Sequence, residues 1–256
     1  MRAALVALVL LSTSLAAADV PRLPELGTIE GKRARIVVKG ELSAARRKQL
    51  VKLVASVVAD VEKRFTRDAK KPDAAVTLLL FGEPARYREV AATMGPVISD
   101  WGFYRPDQRT AIANVGASVG NLRHELVHPL IGDDYPAIPA WLDEGIASLY
   151  GSATPGKRGF TFLVNYRLRD LQRALKDGTC PTLAQLARTT HFDVHGDRAM
   201  VWYALSRYVL LYADRRGELS ALYAELRGAD LAKHGEILAK HVDEAKFRAW
   251  AKKLKR

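Results

Sequence analysis

Three side chains suited to metal chemistry stand close together near the middle of the sequence, in the segment HELVH: His124, Glu125 and His128. On a helix, residues four positions apart lie one turn apart on the same face, so both imidazoles can bind one metal ion. A carboxylate beside two such ligands can take a proton from a water molecule at the metal. The spacing therefore predicts a metal-binding helix with two histidine ligands and Glu125 as general base. The alternative is a surface helix that carries these residues by coincidence.

A catalytic zinc site also requires a third protein ligand and one open coordination position. A second motif, PAWLDEGIA at residues 139–147, follows the first. HELVH followed by PAWLDEGIA resembles the gluzincin zinc metallopeptidases, in particular their peptidase MA-like branch. The resemblance is close over residues 117–151 and looser over residues 197–228. It implies a zincin-like fold, zinc as the cofactor and Glu144 as the third ligand.

The chain departs from this family's pattern at two positions. Pro129 has no backbone N–H, which predicts that the metal-binding helix kinks or ends there. Ser148 stands where many gluzincins have an aspartate that orients a ligand histidine, and such a partner normally fixes the ring angle of the ligand. The alternative candidates for this orienting role are the carboxylates of Asp133, Asp134 and Asp143.

The resemblance also implies a tyrosine or histidine that stabilises the oxyanion formed when a peptide carbonyl is attacked. Tyr203 is the first candidate, with His195 and His191 as alternatives, and a purely structural role in the core is the competing interpretation of Tyr203.

In gluzincins the strand before the metal-binding helix pairs with extended substrate, a mode that gives sequence-tolerant binding. The corresponding segment is Thr110–Val115, expected to be an edge strand, with Asn114 as a substrate-binding side chain. An ordinary solvent-facing hairpin is the alternative.

The elements that position these residues follow from hydrophobic patterning. The pattern predicts an α+β protein in which a small N-terminal mixed sheet with helices packs on a mainly helical C-terminal half. Residues 19–132 form the subdomain with the metal-binding helix, and residues 133–256 form the subdomain with the third ligand. Predicted strands span 35–39, 75–81, 101–104 and 110–115. Predicted helices span 41–65, 83–94, 117–131, 138–150, 159–177, 182–188, 197–213 and 217–227, with a tail helix from about 230.

Composition indicates where the protein works. Residues 1–18 have the charged start, short apolar run and small-residue end of a cleavable export signal, so a periplasmic or extracellular protein is expected. Residues 19–35 are then either a pro-segment or part of the mature fold. Cys180 is the only cysteine, which excludes an intrachain disulfide and a cysteine-rich metal site. No later stretch is apolar and long enough to be expected to span a membrane.

The net charge of +12 favours anionic partners such as a cell-envelope polymer. The basic residues are spread over many predicted helices, and no sequence motif of a nucleic-acid-binding domain accompanies them, so no specific nucleic-acid binding is expected. His234 and His241 lie on one face of a predicted helix, as surface residues or as a second metal site.

Three functions fit the sequence. The first is a secreted zinc peptidase, and an endopeptidase is favoured over an aminopeptidase because no GxMxN-like signature precedes the metal-binding helix. The second is a metal-containing module with little turnover that binds an anionic envelope polymer. The third is a zinc amidase that acts on cell-wall peptide stems. The intact Glu125 favours an enzyme over the binding module.

Overall fold

The computed structural model describes residues 22–66, 70–94, 99–157, 159–189 and 198–256. The predicted export signal at residues 1–18, and the oxyanion candidates His191 and His195, lie outside these described residues.

The N-terminal half is a mixed sheet with helices, as predicted, and it has five strands where four were predicted. Three central strands run parallel, and the two outer strands pair with them in the antiparallel sense. The strands are β1 Glu25–Glu30, β2 Arg35–Glu41, β3 Val76–Phe81, β4 Gly102–Arg105 and β5 Thr110–Asn114, in the spatial order β1-β2-β3-β5-β4. Two helices belong to this half: α1, Ala44–Arg64, and α2, Pro84–Thr93.

The central strand β3 is buried on both faces. Its sequence, VTLLLF, is apolar almost throughout, as expected for a parallel strand covered on both sides. Leu78 and Leu80 join the main core with α1, while Leu79 and Phe81 face a smaller core with Tyr87 of α2. This layered burial fixes the position of β5, the next strand along the sheet.

The predicted edge strand is an interior strand. β5 lies between β3 and β4, hydrogen-bonded to both, and all five of its residues are buried. The edge is instead β4, the other strand of the same hairpin. The poor alternation of β5 reflects burial on both faces, so a substrate strand cannot add to it without displacing β4.

The C-terminal half is mainly helical. Its helices are α3 Val119–Asp134, α4 Ala140–Gly151, α5 Leu168–Lys176, α6 Leu183–Ala187, α7 Ala199–Arg215, α8 Leu219–Arg227, α9 His234–His241 and α10 Glu244–Lys253. The prediction of helix throughout was wrong at the start of segment 159–177. There the chain forms a hairpin of β6, Ala153–Gly156, and β7, Gly159–Phe162. Phe160 and Phe162 alternate with exposed or half-buried residues, as in a strand buried on one face.

Glycines let the helices around the two motifs pack closely. A Cβ at Gly120 of α3 would lie 2.4 Å from the carbonyl oxygen of Gly151 in α4. A Cβ at Gly145 of α4 would lie 3.2 Å from the carbonyl oxygen of Ser206 in α7. Helix α4 is therefore packed tightly between α3 and α7, and the residues of both motifs are held at short range.

A buried group of polar side chains, the Asp60 cluster, joins the two halves of the molecule. Asp60 of α1 is 5% exposed. It accepts hydrogen bonds from Arg64 at 2.9 Å, from the Tyr150 hydroxyl at 2.7 Å and from the backbone N–H of Phe160 at 3.3 Å. Arg64 also donates to Asp214 of α7 at 2.9 Å. The cluster thus connects α1, α4, α7 and the β6–β7 hairpin.

Within the described residues, none of the helices combines the length and hydrophobicity needed to cross a bilayer.

Candidate metal centre

Helix α3 carries the first motif and continues beyond it. The Ser118 hydroxyl caps its start by accepting a hydrogen bond from the Gly120 N–H at 3.0 Å. The helix does not end at Pro129; it runs on to Asp134. Pro129 removes one hydrogen bond from the ladder. Buried side chains on both sides of it, including Leu126 and Leu130, hold the helix against the core.

The motif residues converge on one spot. The metal-binding atoms of His124, Glu125 and His128 all lie within 4.8 Å of one another. Glu144 of α4 adds a carboxylate, because its Oε2 atom is 3.5 Å from Nε2 of His124. Two donors on one tetrahedral zinc ion, with bonds near 2.1 Å, are separated by about 3.4 Å. The spacing of His124 and Glu144 therefore fits two ligands of one zinc ion.

Asp143 orients His128. Its Oδ2 atom lies 2.9 Å from Nδ1 of His128, which leaves Nε2 as the atom for a metal. Burial alone would lower the pKa of His128, but the carboxylates of Asp143, Glu144 and Glu125 together outweigh it, and this pKa rises to about 10. In the metal-free protein both ring nitrogens of His128 are therefore protonated at neutral pH, and a metal ion that bound Nε2 would have to displace one proton.

The other three candidates for this orienting role have different partners. Asp133 forms a paired salt bridge with Arg109 at 2.7 and 2.8 Å, which ties the β4–β5 turn to α3. Asp134 accepts from Tyr223 and pairs with an arginine of α8. Ser148 faces the fully buried Arg207 of α7, which donates to its carbonyl oxygen and hydroxyl.

Glu125 is buried beside the two histidines. Burial raises its pKa, and the histidines act against this shift. A raised pKa suits a group that must accept a proton and then release it. Strand β4 passes directly over the side chain: a Cβ at Gly102 would lie 2.6 Å from Cγ of Glu125 and 2.7 Å from the carbonyl oxygen of Ile112. Only glycine fits at this position without a backbone shift.

Tyr203 of α7 belongs to the same site. It is hydrogen-bonded to Glu144, and it is close enough to Glu125 to interact electrostatically. Burial, assisted by the Glu144 charge, raises its pKa, so the phenol keeps its proton at neutral pH. On its other side the guanidinium of Arg167 lies 4.7 Å from the centre of the Tyr203 ring. The structure thus places a proton-bearing hydroxyl next to the proposed third ligand.

Asn114 is placed differently from a free substrate-binding side chain. It is buried; its amide nitrogen donates to the Asp100 carbonyl at 3.1 Å, and its amide oxygen accepts from the Ala117 N–H at 3.2 Å. These bonds hold the loop between β5 and α3. A substrate contact by Asn114 would require at least one of them to break.

His234 and His241 do not share a metal site. His234 is fully buried, and its Nε2 lies 3.1 Å from the carbonyl oxygen of Leu226. His241 bridges two carboxylates with its opposite ring nitrogens, at 3.1 Å to Glu218 and 2.8 Å to Glu225. The expectation of solvated surface histidines was wrong for His234, whose helix face packs against the core.

Sequence reasoning missed Gly102 and Arg167. Gly102 carries a weak signal, a glycine inside a strand, which often marks the close approach of another group. Arg167 carries none, because its position depends on how the chain turns after the unpredicted hairpin. No protein-family model matches this chain, and no curated protein matches it.

Proposed function

We propose that this protein is an exported zinc-dependent peptidase with a zincin-like fold. The observation that carries the proposal is the 3.5 Å separation of His124 Nε2 and Glu144 Oε2, with Glu125 and His128 at the same spot. Residues from two motifs and two helices meet there with the donor types and spacing of a tetrahedral zinc site.

His124, His128 and Glu144 would hold the metal. A zinc ion bound there supplies Lewis acidity: it polarises a substrate carbonyl and lowers the pKa of a water molecule towards 7. Asp143 keeps the proton of His128 on Nδ1, so that Nε2 presents its lone pair to the metal.

Glu125 performs the proton transfers. Its buried carboxylate accepts a proton from the attacking water and delivers it to the leaving amine. In the metal-free protein, burial raises the pKa of Glu125, and the two histidines act against this shift. The Tyr203 hydroxyl, protonated at neutral pH, would donate to the oxyanion on the carbonyl under attack in place of its hydrogen bond to Glu144.

The free edge of β4 is the proposed binding strand for extended substrate. β4 is the outer strand of the sheet in the described part of the chain, and it passes over Glu125 at Gly102. A peptide added there would gain affinity from main-chain hydrogen bonds and tolerate many sequences. This revises the strand expected from sequence while keeping the mode of binding.

The test combines metal content with cleavage. Zinc per chain is measured by elemental mass spectrometry for the wild type, for Glu144→Ala and for Glu236→Ala, a control at a glutamate of α9 away from the site. The same proteins are then incubated with a peptide library, and products are identified by mass spectrometry. Near-stoichiometric zinc and cleavage in the wild type and control, with both reduced in Glu144→Ala, are the expected results.

Two other outcomes contradict the proposal. Zinc without cleavage of any peptide would leave the metal site in place and favour the binding module. No zinc in any protein after zinc has been offered would mean that the motif does not bind this metal.

A further inference from the structure

Arg167 is a cation beside the metal centre that lacks a paired anion in the described part of the chain. Its Nη1 atom is buried there without a hydrogen-bond partner. Buried guanidinium groups are normally paired with carboxylates or fully hydrogen-bonded, because an unpaired charge costs desolvation energy. Arg167 can therefore donate a further hydrogen bond to a ligand.

The guanidinium packs against two tyrosine rings, and the backbone that carries it is hydrogen-bonded. It lies 4.7 Å from the ring centre of Tyr203 and 5.3 Å from that of Tyr166. Its backbone N–H donates to the Asn165 side chain at 3.1 Å, and Asn165 is fixed in turn by the Tyr208 hydroxyl at 3.0 Å. A positioned guanidinium loses less conformational entropy on binding an anion than a mobile one.

A second guanidinium lies near Arg167. The fully buried Arg207 lies close enough to repel it electrostatically, and none of the acceptors of Arg207 is a carboxylate: they are the carbonyl and hydroxyl oxygens of Ser148, the carbonyl oxygen of Leu163 and the Tyr208 hydroxyl. Neither guanidinium is paired with a carboxylate among the described residues. The chain as a whole carries a net charge of +12, which attracts anionic substrates.

Arg167 is also within reach of a substrate at the metal centre. Tyr203 stacks against it on one side and is hydrogen-bonded to Glu144 on the other. A group that enters beside Tyr203 thus lies one side chain away from a proposed metal ligand. Planar guanidinium matches a carboxylate with two parallel hydrogen bonds.

We propose that Arg167 recognises a carboxylate of the substrate, so that the preferred peptides carry either an acidic side chain or a free C-terminus close to the bond that is cleaved. Arg167 has this role only if peptides bind at the metal centre, so the proposal rests on the function proposed above. The two sources of the carboxylate present the same chemistry to Arg167, and the experiment separates them.

The test measures binding in the zinc-loaded Glu125→Gln background, in which turnover is expected to be too slow to consume the probes. Three fluorescein-labelled alanine pentapeptides serve as probes, and fluorescence anisotropy gives their affinities. The first has a central glutamate and an amidated C-terminus, the second a central glutamine and an amidated C-terminus, and the third a central glutamine and a free C-terminal carboxylate. Each is measured with Arg167 intact, with Arg167→Gln, and with Arg169→Gln as a control that removes the same charge from an exposed position of α5.

At least one of the two carboxylate probes is expected to bind more tightly than the neutral probe. Arg167→Gln should remove that preference, with a loss of about 10- to 100-fold, the usual effect of a hydrogen bond to a charged group. Arg169→Gln should keep it, and Arg167→Lys should keep part of it. The probe that loses affinity identifies the source of the carboxylate. Thermal unfolding and zinc content of each variant show whether the fold and the metal are retained.

Equal affinity for all three probes, or a preference that survives Arg167→Gln, would overturn this assignment and leave the peptidase proposal standing. The reverse result is also distinguishable. An Arg167-dependent preference, together with no cleavage of any peptide by the wild type, would keep the carboxylate site and remove the peptidase function.

Discussion

Helix α4 contributes residues to two buried ionic clusters, whose charge balance differs. In the Asp60 cluster, the Asp60 carboxylate accepts from Arg64, from the Tyr150 hydroxyl and from a backbone N–H, and Arg64 reaches a second carboxylate. In the metal centre, two histidines meet three carboxylates, and Oδ1 of Asp143 is buried without a partner among the described residues.

This difference in charge balance predicts different roles for the two clusters. A buried carboxylate that is matched by donors of its own chain stabilises the fold and needs nothing else. Carboxylates gathered around imidazoles gain from an added cation, because bringing like charges together in a protein interior is unfavourable. Substitutions in the Asp60 cluster should therefore change stability alone, and those in the metal centre should change zinc binding and turnover.

The largest effect is expected for Glu125→Gln. Loss of the base should reduce kcat by about 10²- to 10⁴-fold, while zinc stays bound because the ligands are untouched. Steady-state cleavage of a library-derived peptide, with zinc measured on the same sample, checks this. Unchanged turnover would remove Glu125 from the role of base.

Asp60→Asn should show the opposite profile. Breaking a buried ion pair costs about 3–5 kcal/mol of unfolding free energy, measured by urea denaturation at pH 7. Zinc content and kcat should stay near wild-type values at temperatures where the variant is folded. Asp73→Asn, at an exposed aspartate, is the control and should be neutral. A loss of zinc in Asp60→Asn would contradict the prediction that the Asp60 cluster affects stability alone.

Tyr203→Phe tests a member of the metal centre that carries no formal charge. Removal of one oxyanion donor typically lowers kcat by about 10²- to 10³-fold, with KM and zinc content little changed. A variant that unfolds more easily but retains full kcat would instead identify Tyr203 as a core aromatic residue.

Asp143→Asn should have the smallest effect of the four. Loss of the partner that orients a ligand histidine lowers zinc affinity by about 10- to 100-fold, measured by competition with a chelator. A second prediction concerns the pH dependence of stability. In the metal-free protein, the pKa of His128 is raised from 6.5 to about 10. The His128–Asp143 pair therefore adds stability that is complete below pH 6.5 and is lost as the pH rises through about 10.

The pH dependence provides an independent check on that pair. Unfolding free energy of the metal-free wild type should decline over this alkaline range, and Asp143→Asn should flatten the decline. Equal slopes in the two proteins would mean that Asp143 does not hold the proton on His128.

The sequence was sufficient for the parts of the site that depend on local spacing. His124 and His128 share a face because a helix places residues four apart together, and the apolar run of β3 predicts a buried strand. The mixed sheet followed by helices is confirmed at that level of detail. Asp143 could be named as a candidate partner for a ligand histidine, but choosing it over Asp133 required knowing which side chains face α3.

The remaining features depend on how distant segments meet. Strand order decides that β4 and not β5 is the edge, and strand order is not encoded in the alternation of either strand. The β6–β7 hairpin is short; β7 lies at the start of the segment predicted as a helix over 159–177, and β6 lies between two predicted helices. Arg167 reaches Tyr203 only because that hairpin reverses the chain between α4 and α5.

Gly102 has a consequence for how this protein can change over generations. Any larger residue at that position would press on both the Glu125 side chain and the Ile112 backbone. A substitution of Gly102 would therefore have to be accompanied by a change in the position of Glu125. A descendant that keeps the HELVH segment but acquires a side chain at this position would have had to move its glutamate. Such a sequence would retain both histidines of the segment, but its glutamate would no longer lie in the same position beside them.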